Sequence, residues 1–66
     1  MLQEEKLVAI RTVHPRSVAI FEIPVGIRVE YWIKDALIMS RTYPYYDDRV
    51  LDRRIQNFLL DEEQYG

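Results

Sequence analysis

The chain contains no cysteine, and its only glycines are Gly26 and the terminal Gly66. Without cysteine there are no disulfides and none of the usual zinc frameworks, and a reducing compartment suits the composition. With one internal glycine there is no phosphate-cradling loop. His14 is the single histidine, and Ser17 and Ser40 are the only serines. The groups from which nucleophiles and general bases are made are therefore scarce. A His14–Ser17 pairing across a turn is explained by turn chemistry. Asp47, Asp48 and Asp52 lack calcium-loop spacing, and helix capping accounts for two of them. No apolar run approaches the roughly 18 residues of a membrane span. The start, Met1-Leu2-Gln3-Glu4-Glu5-Lys6, has neither the basic segment nor the apolar run of a signal peptide. Together these absences predict a cytoplasmic, non-enzymatic protein with no catalytic residues, cofactor, metal or membrane contact.

Charge of one sign is also missing. Nine basic and eleven acidic residues leave a net −2, so there is no general attraction to nucleic acid or anionic lipid. What is present is apolar and aromatic. The hydrophobic fraction is 48 %, with five tyrosines and one tryptophan, which is too rich for a disordered chain. Sixty-six residues fit one domain, spanning 1–66, with a modest core. Self-association is the remaining source of support for a domain of this size.

Proline and glycine punctuate residues 7–46 into β-rich runs. Strands are expected at about 7–14, 17–23, 27–33 and 36–43. Pro15-Arg16 reads as a type I turn between His14 and Ser17. Pro24-Val25-Gly26 reads as a three-residue loop with a bulge. Lys34-Asp35 is a tight turn without the usual glycine. In Ile27–Ile33, Ile27, Val29, Tyr31 and Ile33 alternate with Arg28, Glu30 and Trp32. Pairing through these loops places Val8, Ile10, Thr12, Ala19, Phe21 and Ile23 on one face with Ile27, Val29, Tyr31, Ile33, Ala36, Ile38, Ser40 and Thr42. The same register sets Glu22 opposite Arg28.

The last segment is suited to cover that face. Leu51, Ile55, Phe58 and Leu59 follow i, i+4, i+7, i+8 spacing, over a helix expected at about 48–62. Asp47 is the expected N-cap, with Tyr46 stapled onto Leu51. The predicted fold is α+β: a four-stranded antiparallel meander with one C-terminal amphipathic helix packed on one sheet face. Phe21, Val29, Tyr31 and Ile38 are expected beneath Ile55 and Phe58.

The other sheet face then carries an apolar group with a charged rim. Val18, Trp32 and Leu37 fall side by side, Ile20 and Met39 lie near, and Arg28 and Arg41 flank them. Such a group is the mark of an interface. On the helix, Val50 and Leu60 make a weaker second surface, for which ordinary surface hydrophobes are the simpler reading. Asp61, Glu62 and Glu63 stand at the helix's negative end, where acids are unfavourable. The function expected from these residues is a protein-binding regulator or inhibitor that forms a homodimer through the outer sheet face. One alternative is a β-rich nucleic-acid binder that stacks bases on Trp32 and Tyr43 beside neighbouring Arg and Lys side chains. A weaker alternative is a structural subunit of a larger assembly.

Overall fold

A computed structural model of the chain describes residues 4–44 and 48–60. Four antiparallel strands follow one another in the sheet in chain order: β1 (Lys6–Val13), β2 (Arg16–Ile23), β3 (Gly26–Ile33) and β4 (Ala36–Tyr43). One helix, α1 (Asp48–Leu59), packs on one face. The expected meander with a covering helix is therefore the fold. Asp47, Tyr46 and Asp61 to Glu63, to which cap, staple and helix-end roles were assigned, lie outside the described residues, as does the side chain of Asp48.

The helix is held by the stripe its sequence advertises. Leu51, Ile55, Phe58 and Leu59 are all buried, Ile55 and Phe58 almost completely. Side chains of this kind contribute roughly 1.5–3 kcal/mol each before conformational entropy is counted against them. The Phe58 ring meets Tyr31 edge-on, with centroids 5.1 Å apart. The last turn of α1 has no basic residue of its own, so its carbonyls look elsewhere for donors. Arg16 on β2 supplies one: its Nη1 donates to the Phe58 carbonyl at 3.3 Å, and the guanidinium lies 5.0 Å from the Phe58 ring centroid. At the other flank Arg11 reaches Asp52 at 2.7 Å. Both partners are about half exposed, so this pair adds at most about 1 kcal/mol.

The face under the helix differs from the one expected on β2. The buried strand residues are Val18, Ile20, Ile27, Val29 and Tyr31, with Ala9, Ile33, Met39 and Tyr43 packed at their margin. Phe21 and Ile38 are not beneath the helix. The cause is the turn between β2 and β3. Ile23 pairs with Gly26, so the loop is the two residues Pro24-Val25 rather than three. A one-residue change in register moves every side chain of one strand to the other face relative to its neighbour. Val18 and Ile20 therefore join Tyr31 and Val29, and Phe21 lies opposite Arg28. The expected Glu22–Arg28 pairing is replaced by Glu22 opposite Ile27.

A second inversion occurs in β4. The Lys34-Asp35 turn forms as expected, with Lys34 in the left-handed region (φ 55°) that glycine would ordinarily fill. The pairing then runs from Trp32–Leu37 to Tyr31–Met39, leaving Ile38 as an extra, half-exposed bulge residue. Beyond it Met39, Arg41 and Tyr43, instead of Ile38, Ser40 and Thr42, share the helix side. The first turn moves by one residue, to His14-Pro15 with a cis bond between them and Val13 opposite Arg16, which shifts the pairing by two. A two-residue move keeps faces together, so Ile10 and Thr12 still accompany Ala19. A further bulge at Val8 interrupts β1. Both edge strands thus carry a bulge, a common protection against edge-to-edge pairing.

Gly26 fixes the decisive turn. Its φ is +148°, and a Cβ there would lie 2.0 Å from the Tyr43 carbonyl oxygen and 2.8 Å from the Pro44 backbone. No side chain fits without moving the end of β4. Gly26→Ala is expected to cost about 3 kcal/mol or more, from backbone strain plus the clash, enough to unfold much of a domain this small. The neighbouring exposed Val25→Ala should change stability by no more than about 0.5 kcal/mol. Chemical denaturation of the two variants beside the parent measures both, and an undisturbed Gly26→Ala domain would contradict the turn.

Candidate functional site

The sheet face turned away from α1 is built in three rows across the strands. Leu7, Phe21, Arg28 and Thr42 form one, Ile10, Ala19, Glu30 and Ser40 the next, and Thr12, Ser17, Trp32 and Leu37 the third. Among the described residues no element covers this face. Ile10 is 61 % exposed and Leu7 and Leu37 each 48 %. The apolar groups therefore form a rim on both sides of a charged centre.

That centre is neutralised locally. Arg28 Nη1 donates to Glu30, while its Nε and Nη2 donate to Glu5 at 3.2 and 2.6 Å. Its guanidinium carbon lies 4.5 Å from the Phe21 ring centroid. The indole Nε1 of Trp32 donates to the other Glu30 oxygen at 3.1 Å. Glu30 thus accepts from both neighbours on its own strand, which i, i+2 spacing places on one face. Its carboxyl is held below the usual carboxylate range, chiefly by the Arg28 hydrogen bond and further by Trp32. Arg28 is held more firmly protonated than usual by Glu5 and Glu30. The result is a flat, internally paired polar strip with aromatic and aliphatic surface beside it. Among the described residues no group of three potential metal ligands occurs.

Of the residues expected to form one interface, the structure brings Arg28, Trp32 and Leu37 together on this face. Val18 and Ile20 are instead core residues, 0 and 6 % exposed, because the Pro24-Val25 turn inverts β2. Met39 and Arg41 lie on the helix side because of the Ile38 bulge, and Ser17 takes the place beside Trp32 expected for Val18. Trp32 and Tyr43, paired in the nucleic-acid reading, face opposite sides of the sheet. Phe21, Ile10 and Glu5 were not singled out for this face. The alternation of Arg28, Glu30 and Trp32 signalled the polar strip, but nothing in the sequence placed Glu5 over it.

On the helix side the Tyr31 hydroxyl lies 3.4 Å from that of Tyr43. Burial raises its pKa well above the ordinary phenol value, and the hydrogen bond to Tyr43 adds to this. No family model, curated protein or solved structure matches the chain. Among the described residues no helix is long and apolar enough to cross a membrane.

The lowered carboxyl of Glu30 has a definite pH consequence. A folded-state pKa below the unfolded value, near 4.3, contributes stability that is fully present above that value. It is lost as pH falls through the lower folded pKa. Urea midpoints measured from pH 7 to pH 2 should therefore decline in acid, and Glu30→Gln should be less stable at pH 7 with a shallower acid decline. Parallel curves for the two proteins would contradict the Arg28–Glu30–Trp32 arrangement.

Proposed function

We propose that this chain is a non-enzymatic protein-binding module, a regulator or inhibitor of its partner, and that it self-associates through the open sheet face. The observation carrying the proposal is Trp32 beside Leu37 on a sheet face left uncovered by any described element. Aromatic and aliphatic groups around an internally paired charged strip are what protein interfaces present: little desolvated charge without a partner, and anchors that lose water on contact. A cytoplasmic location belongs to this reading and rests on the absence of cysteine. Stacking of single-stranded nucleic acid is less well supported, since Glu30 stands in the middle of the face and Arg28 is already engaged by two carboxylates.

The size of the face sets the strength of a dimer. Four strands of eight residues span about 26 by 19 Å, or about 500 Å² in projection, at ordinary strand spacings. A standard interface uses about 800 Å² of accessible surface per partner. Even with side-chain relief, a two-fold contact would consume nearly the whole face, so an affinity around the micromolar range is expected. Sedimentation over a range of concentrations should show a monomer–dimer equilibrium. Trp32→Glu should be monomeric at every concentration, and Arg53→Glu on the exposed side of α1 should behave as the parent. A parent protein that stays monomeric throughout would eliminate self-association.

A further inference from the structure

On the helix side, α1 lies over the middle of the sheet and leaves a shoulder along β4. The strand contributes Met39, Arg41 and Tyr43 to it, opposite Tyr31, Val29 and Ile27. The helix contributes Val50, Arg54 and Asn57, which share one flank by i, i+4, i+7 spacing. The orientation of that flank follows from Asp52. This residue reaches Arg11 on β1, and Arg54 follows it by two residues, or about 200° around the helix. Arg54 therefore stands on the β4 flank. Arg41, paired with Val29, lies on the same side of the sheet, so both arginines border the shoulder.

These two arginines differ from Arg11 and Arg28. Arg11 is matched by Asp52 and Arg28 by Glu5 and Glu30. Among the described residues Arg41 Nε donates to Met39 Sδ at 3.4 Å, and neither Arg41 nor Arg54 pairs with a carboxylate. Tyr31 and Tyr43, whose hydroxyls lie 3.4 Å apart, share this side of the sheet with Arg41. Next to this charge runs the outer edge of β4, beyond which no further strand is paired among the described residues. The stretch from Met39 to Tyr43 is regular after the Ile38 bulge.

We infer that this shoulder docks an extended acidic segment of a partner protein. The segment adds to the β4 edge through its backbone and delivers carboxylates at alternate positions to Arg41 and Arg54. A strand added there sends every second side chain to the helix side. A guanidinium suits a carboxylate better than any other surface donor. The site is independent of the open sheet face and does not rest on its proposed role.

The test uses a fluorescein-labelled eight-residue peptide of alternating valine and glutamate, with a valine–lysine peptide as its opposite. Fluorescence anisotropy should show binding of the glutamate peptide alone, weakening as salt is raised. Arg41→Gln and Arg54→Gln should each weaken it about tenfold while melting at the parent's temperature. Arg53→Gln and Trp32→Glu should leave it unchanged, and amide exchange should slow between Ser40 and Tyr43. Absence of binding, equal binding of the lysine peptide, or indifference to both arginine substitutions would overturn the inference. Loss of binding in Trp32→Glu would also overturn it, by moving the peptide to the open face. So would displacement of the peptide by a single-stranded oligonucleotide that binds more tightly.

Discussion

The pairing of Ile23 with Gly26 is the constraint on which the rest of the molecule depends. It closes the β2–β3 hairpin with two residues, and closure by two rather than three decides which side of β2 meets the helix. Val18 and Ile20 become core, Phe21 and Ala19 become surface, and Arg28 comes to lie against Phe21 instead of Glu22. Gly26 permits this because its backbone passes against the Tyr43 carbonyl, where no side chain can stand. One glycine thereby ties the central hairpin to the end of β4.

Much of the architecture was legible because several local signals agreed. Alternation in Ile27–Ile33 and helical spacing from Leu51 to Leu59 each identify an element and its inward face without reference to any other. Proline marked where the first two turns fall to within a residue, the first lying one residue earlier than expected, and the Lys34-Asp35 turn was placed correctly. What could not be read was loop length to a single residue. Pro24-Val25-Gly26 fits both a three-residue loop and a two-residue turn followed by glycine in the strand. Both faces of β2 are apolar, so hydrophobic pattern gave no arbitration between Val18 and Ile20 on one side and Ala19 and Phe21 on the other. The Ile38 bulge has no sequence mark at all. These two features divided the expected interface, sending Val18, Ile20, Met39 and Arg41 to the helix side and keeping Arg28, Trp32 and Leu37 on the open one.

The two faces consequently have different electrostatic characters. On the open face Arg28 is satisfied by Glu5 and Glu30, and Glu30 by Arg28 and Trp32, so the charged strip needs no outside partner. On the β4 shoulder Arg41 and Arg54 pair with no carboxylate among the described residues. An apolar partner suits the first surface and an acidic one the second. The β4 bulge makes this division, since Arg41 would share the open face with Arg28 if β4 ran without it.

The most direct test of this account is the set of proton–proton contacts made by the helix in solution. Nuclear Overhauser effects from the side chains of Ile55 and Phe58 should reach the methyl groups of Val18, Ile20 and Val29, all members of one buried cluster. None should reach Ala19 or Phe21. Contacts from Phe58 to Phe21 and Ala19, with Val18 and Ile20 silent, would show that the hairpin closes through three residues and would contradict the placement of the open face.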